Sequence, residues 1–354
     1  MLKDHWWRLL YTWYTNLVAV IKWNNEISSV FKLYKGTRQG GLTSPFLFNL
    51  LYKELINGIS NLTCGMKIDK YSFNVFCYAD DILLTSATSS GLQKLIDFAN
   101  SYVSSHGLSF NAAKSSSIVF GKCHLEPSPT WSINNCTINT VSEIDYLGAI
   151  LCNSGESHVN RRIRKCRQAF YSLQGAGMCE NGVEPSVISH LWQTALQTIL
   201  LYSNECFQLS RSSKNDLEKI QSKLIKSSLG LSKFSRSSPL LSALGIRKID
   251  SLINCQSLHL FSSIMLSKTR TCSLYKSFIR NNYESGLVGR VHELCMKNSI
   301  SFVKVSMDKL YCKKVCKNLK NIPTGNGLID SCRTLLSNFN SSNREMLRVL
   351  LRSF

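Results

Sequence analysis

The chain has 354 residues, is 44% hydrophobic, and carries 42 Lys and Arg against 22 Asp and Glu, a formal net charge of +20. This composition excludes a disordered tail, and no run of about 18 apolar residues offers a membrane span. The charge is uneven: residues 1–150 hold 12 basic and 10 acidic side chains, net +2, whereas residues 151–354 hold 30 and 12, net +18. A strongly basic part joined to a near-neutral one implies a polyanion, held mainly by the second part through its phosphates.

In chain order, the apolar spacing of "WWRLLYTWYTNLVAVIKW" predicts an amphipathic helix over 6–23, interrupted by Arg8, Thr12, Thr15 and Asn16. It has no cleavage-site pattern, so the chain is expected inside the cell, in cytoplasm or nucleus, with no membrane partner. "SSVFKLYKG" alternates and stops at Gly36. "GTRQGGLTSPFLFNLLYKELINGIS" is a glycine-rich loop opening into a helix with Pro45 in its first turn and Leu47, Leu50, Leu51, Leu55 and Ile59 at helical spacing. "FNVFCYADDILLTS" reads as strand, tight turn and strand, with Asp80 and Asp81 at its middle.

Two like charges side by side in a half-buried strand raise each other's pKa and cost desolvation energy unless a cation compensates. Two readings stand: the pair forms an ordinary acidic turn, since Asp tolerates turn geometry, or it holds a cation. Residues 89–106 predict a second amphipathic helix, with Leu92, Leu95, Ile96, Ala99, Tyr102 and Val103 on one face and Gly107 as its stop. "SIVFGK" and "WSINNCTINTVSEIDYLGAIL" predict short strands. From about residue 155 the pattern is helical, from "HVNRRIRKCRQAFYSLQGAG" to a terminal helix in "DSCRTLLSNFNSSNREMLRVLLRSF". On the first of these helices Arg161, Arg164 and Lys165 share one side, either a solvated face or a track for phosphates.

The 14 cysteines lack CxxC pairs, which argues against a disulfide framework and a zinc ribbon and for free thiols in a reducing compartment. Cys312 and Cys316 have i, i+4 spacing, and no histidine follows them, so the sequence disfavours a metal there.

Four features in fixed order, "GTRQGGLTSPFLFN", Tyr78-Ala79-Asp80-Asp81, "GLSFNAAKS" and Tyr146-Leu147-Gly148, together resemble the palm of a reverse transcriptase, most closely the non-LTR, LINE-type retrotransposon enzymes. The resemblance implies an α+β fold: a partial right-hand palm, antiparallel sheet plus helices, at 1–150. A basic helical thumb-like region at 151–250 follows, then a C-terminal helical region of unknown role at 251–354. It implies RNA-directed DNA synthesis from a DNA primer on an RNA template with deoxynucleoside triphosphates. Asp80 and Asp81 would hold two Mg²⁺ about 4 Å apart for phosphoryl transfer.

By the same resemblance Tyr78 packs beside the primer end, and Arg38, Gln39, Gly40 and Gly41 lie near template or nucleotide. Gly40 and Gly41 would let a nucleic acid approach the main chain. Lys114 either aids the departing pyrophosphate or is merely solvated. The family carries one more aspartate on a strand further upstream than the 35 residues before Gly36, where the acids are Asp4 and Glu26. Asp4, on the helix after that strand, is a poor substitute. The expectation is therefore a truncated reverse transcriptase, inactive as written, with a non-catalytic nucleic-acid-binding remnant as the alternative.

Overall fold

A computed structural model describes residues 4–34, 36, 40–121, 129–152, 156–179, 183–282, 286–319 and 327–352. Chain contacts divide it into two compact units, residues 1–115 with 126–139, and residues 116–125 with 140–354.

In the first unit the opening helix runs from Asp4 to Thr15 and not to residue 23. The Thr15 hydroxyl donates to the Tyr11 carbonyl at 2.7 Å and the Asn16 amide to that of Thr12 at 3.1 Å. These side chains take up carbonyls at the helix end, and the alternating residues that follow pair as two-residue strands, Val18–Ala19 with Phe31–Lys32 and Lys22–Trp23 with Glu26–Ile27.

Two longer helices, Ser44–Asn61 and Ser89–Ser105, build the core of this unit. Tyr52, Leu55 and Ile59 of one meet Leu95, Ala99 and Val103 of the other, and Val75, Ile82 and Leu84 pack against them. Thr88 caps the second helix by accepting the Gly91 N–H at 3.1 Å, and Gly107 ends it with φ +69°. Of the expected stripe on the first helix, Leu50 stays 44% exposed. Leu47 and Leu50 instead line a groove with Trp7, Tyr11, Tyr14 and Tyr34.

Where a single palm sheet is expected, the strands form small separate antiparallel sheets of two or three strands. Each strand is two to five residues long, too short to build a wide ladder.

The second unit begins with the hairpin Glu143–Tyr146 and Ala149–Cys152, then turns almost wholly helical, starting with Glu156–Gly175. One core gathers Phe170, Trp192, Leu196, Leu217, Leu224 and Ile253, and a second gathers Leu258, Phe261, Val291, Cys295, Val305 and Cys316. Inside the first, the Gln221 side-chain oxygen accepts from Trp192 Nε1 and Gln197 Nε2, each at 3.0 Å, while its amide donates to the Arg247 carbonyl at 3.1 Å. The terminal stretch is two helices, Gly327–Ser337 and Ser341–Leu350, because the Asn340 side chain caps the second by accepting from Asn343 N at 2.8 Å. Among the described residues no helix is long and apolar enough to cross a membrane.

Candidate active site and nucleic-acid surface

Residues Val75–Tyr78 and Asp81–Leu84 form an antiparallel hairpin in which Tyr78 faces Asp81. Ala79 and Asp80 make its two-residue turn, with Ala79 at φ +51°. A positive φ at a residue with a Cβ is uncommon, and the tight register between Tyr78 and Asp81 imposes it here. Of the two carboxylates only Asp80 thus lies in the turn, and Asp81 opens the return strand. Strand alternation sends Val75, Ile82 and Leu84 into the helical core and leaves Tyr78 and Asp81 on the outer face.

Both carboxylates are exposed, as is Tyr78 at 65%. The expected half-buried pair is corrected: the apolar flanks bury the hairpin's base, and its tip lies in water, where neither charge bears a large desolvation cost. Behind the tip stands Tyr52 of the first core helix. Burial pushes its hydroxyl above the usual tyrosine range, with Cys77, Asp80 and Tyr102 adding to the rise.

The hairpin is fastened to that helix by Asn74, only 2% exposed, which donates from its side-chain amide to the carbonyls of Ile59 at 2.9 Å and Leu62 at 2.8 Å. Both carbonyls stand at the end of the helix, where that of Ile59 also accepts the Leu62 N–H at 3.1 Å and that of Leu62 lies past the last turn. Gly65 makes room, because a Cβ there would lie 1.9 Å from Asn74 Oδ1. Sequence reading missed both residues; an Asn immediately before an apolar strand was the available signal.

Of the loop residues, Arg38 and Gln39 lie outside the described residues. Gly40 has φ +78° and nothing within 4 Å of where a Cβ would stand, so space above its backbone is open. The Gly41 carbonyl accepts the Ser44 N–H at 3.2 Å, which leads the loop into the helix containing Pro45. Lys114 is exposed at the end of a short 3₁₀ turn capped by Asn111. Asp4 pairs with Arg8 at 2.9 Å on the exposed opening helix. Asp80 and Asp81 are the carboxylates present at the tip, and among the described residues no third His, Cys, Asp or Glu gathers with them into a cluster.

In the second unit, Leu147 at φ +51° and Gly148 at φ +77° form the turn of the 143–152 hairpin. Tyr202 donates to the Leu147 carbonyl at 2.8 Å and Arg162 to that of Gly148, while the Arg162 guanidinium stacks 4.6 Å from the Tyr202 ring centre. Buried His158 accepts the Ile150 N–H on Nδ1 at 3.3 Å, and its Nε2 lies 3.0 Å from the Tyr202 carbonyl. Burial holds its pKa below the usual histidine value.

The basic run "RRIRKCR" is therefore split by the helix period. Arg162 and Cys166 turn inward, Arg161 is ion-paired with Asp145, Lys165 is half-buried, and Arg164 is exposed. The structural role of Arg162 was missed because sequence alone does not phase a helix so rich in basic residues.

Residues 2–151 match the model of the reverse transcriptase (RNA-dependent DNA polymerase) family. Over 146 residues the chain is 29% identical to the retrovirus-related Pol polyprotein from type-2 retrotransposable element R2DM of Drosophila melanogaster, an overlap that covers 39% of this chain and 13% of that protein. The aligned stretch is thus a small part of a much longer relative.

Proposed function

Residues 2–151 belong to the reverse transcriptase family, of the non-LTR retrotransposon kind, and from that premise we propose that this chain holds an RNA template paired to a DNA primer, with Asp80 and Asp81 as its divalent-ion ligands. The observation that carries the reading is the exposed Asp80 hairpin, fastened to the core by Asn74, within the family-matched stretch. Its donors are hard carboxylate oxygens facing water, and they suit Mg²⁺, which keeps several of its waters and takes one or two carboxylates. When bound, such ions supply charge stabilisation for phosphoryl transfer to a primer hydroxyl, deoxynucleoside triphosphates being the substrate.

The chain's own residues do the positioning. The strained turn fixes Asp80 relative to Asp81, and exposed Tyr78 offers an aromatic face for a terminal base. Gly40 leaves backbone open to a nucleotide, with Gly41 next to it at the helix entry, and Lys114 supplies a solvated cation. Arg161, Arg164 and Lys165 belong to the +18 part, which neutralises duplex phosphates. Arg161 shares its charge with Asp145, so Arg164 and Lys165 contribute more.

Two carboxylates that no third ligand joins among the described residues leave an ion largely water-coordinated. We therefore read the 354-residue chain as a duplex-binding module that does not extend a primer by itself. The test is duplex binding by anisotropy as salt is varied, together with primer extension in Mg²⁺. Binding should weaken steeply and log-linearly with salt, and Arg164→Ala should lower the slope by about one. Salt-independent binding would defeat the interface assignment. Templated synthesis abolished by Asp80→Asn would restore full catalysis to the chain and defeat the binding-only reading.

A further inference from the structure

The cysteine pair that lacks a histidine in the sequence acquires one from the fold. The Ile249–Leu266 helix carries Cys255 and His259 one turn apart, and the Lys309–Leu319 helix carries Cys312 and Cys316 one turn apart. The two helices meet in opposite directions. Cys255 Sγ lies 3.5 Å from the Cys316 carbonyl, Cys316 Sγ 3.7 Å from that of Cys255, and Cys312 Sγ 3.5 Å from that of Leu258. His259 Nδ1 stands 3.9 Å from Cys312 Sγ, and the ligand atoms of His259, Cys312 and Cys316 all lie within 4.8 Å of one another.

Bond lengths of about 2.3 Å to sulfur and 2.05 Å to nitrogen place the corners of a tetrahedral zinc site about 3.6 Å apart for S and N, and about 3.8 Å for two sulfurs. The observed atoms lie within about 1 Å of that arrangement, so side-chain rotation closes it without moving either helix. A carbonyl beside a buried thiol is not by itself the signal. Cys166, for instance, simply rests 3.6 Å from the Leu196 carbonyl, as a helix-core cysteine does. What distinguishes the 259/312/316 cluster is the convergence of an imidazole and two thiols from separate helices, at the depth of a core and beside a half-buried rim at His259.

We propose that His259, Cys312 and Cys316, with Cys255 rotating in as the fourth ligand, bind one zinc ion that pins these two helices together. Soft thiolate and imidazole donors select zinc over the magnesium that suits carboxylates. On binding, three thiols each release a proton to solvent and His259 coordinates through Nδ1 as the neutral ring, leaving the site with a net charge of −1. The site is independent of the polymerase-like hairpin. Its consequence is structural: the ion ties Cys255 and His259 to Cys312 and Cys316 within one hydrophobic core.

The experiment uses the full chain, purified reduced and without a histidine tag. Elemental analysis should give about one zinc per chain, and cobalt should replace it with a tetrahedral absorption spectrum and thiolate charge-transfer bands. Cys316→Ser and His259→Ala should weaken cobalt binding by at least about tenfold, whereas Cys332→Ser, in the other core, should leave it unchanged. Cys255→Ser should reduce the charge-transfer intensity by about a third, three thiolates becoming two. Circular dichroism identifies any variant that fails to fold, and the half-buried His259 variant then carries the test. Zinc below about a tenth of an equivalent with no tetrahedral cobalt spectrum overturns the proposal. A spectrum unchanged in both Cys316→Ser and His259→Ala overturns it equally, and one unchanged in Cys255→Ser removes Cys255 from the ligand set.

Discussion

Replacing Asn74 by Ala removes two hydrogen bonds from a side chain only 2% exposed, taking a donor from the Leu62 carbonyl at the helix end and leaving that of Ile59 with the Leu62 N–H. At about 1 kcal/mol per hydrogen bond, with a further ~0.5–1 kcal/mol for the space left behind, the loss comes to about 2–3 kcal/mol. Gly65→Ala should produce the same loss by a different route, since its new Cβ would stand 1.9 Å from Asn74 Oδ1 and expel the amide. The two substitutions act on one interaction. The double variant should therefore cost little more than the worse single, with a coupling energy of about 2 kcal/mol. Urea unfolding followed by tryptophan emission is a suitable assay, because five of the six tryptophans, Trp6, Trp7, Trp13, Trp23 and Trp131, belong to the first unit. Each single variant should lower the midpoint by about 1–2 M urea. Simple additivity in the double variant would refute the shared mechanism, and a single-variant loss under about 0.5 kcal/mol would show that Asn74 does not fasten the hairpin.

Further predictions concern charge and burial. Asp80→Asn should remove most Mn²⁺ binding to the chain, read by electron paramagnetic resonance, and leave duplex affinity within about twofold; equal Mn²⁺ binding would sink the ligand assignment. His158 is held neutral by burial, so below about pH 6.5 the unfolded chain takes up a proton that the folded state refuses. Its contribution to stability is present above that pH and is lost as pH falls, and His158→Gln should flatten the drop in urea midpoint between about pH 7.5 and 5.5. Gln221→Leu leaves Trp192 Nε1 and Gln197 Nε2 without their shared acceptor and should cost about 2–4 kcal/mol; a neutral result by differential unfolding would show that water replaces the amide. Tyr202→Phe removes one hydrogen bond to Leu147 but keeps the ring under Arg162, so calorimetry should register only about 1 kcal/mol, clearly less than Tyr202→Ala.

The sequence by itself determined the hairpin and the helices that flank it. Alternation through "VFCYADDILLTS", the Pro45 entry and the Gly107 stop are short-range signals, each read from a few adjacent residues, and the structure builds each element where those signals stand. Charge partition and motif order likewise need only the linear text.

Tertiary structure decided the rest, because burial depends on what packs against a residue. The apolar flanks suggested buried carboxylates, yet only the base of the hairpin meets a core, and its tip extends into solvent. Thr15 and Asn16 could have ridden within a longer helix, but their side chains take up its end carbonyls. Arg162, one basic residue among several, becomes structural because the helix period turns it toward Gly148 and Tyr202. The same holds for Cys312 and Cys316: their histidine lies 53 residues upstream of Cys312, a separation no local pattern spans, and only the packing of two helices brings the three donors together.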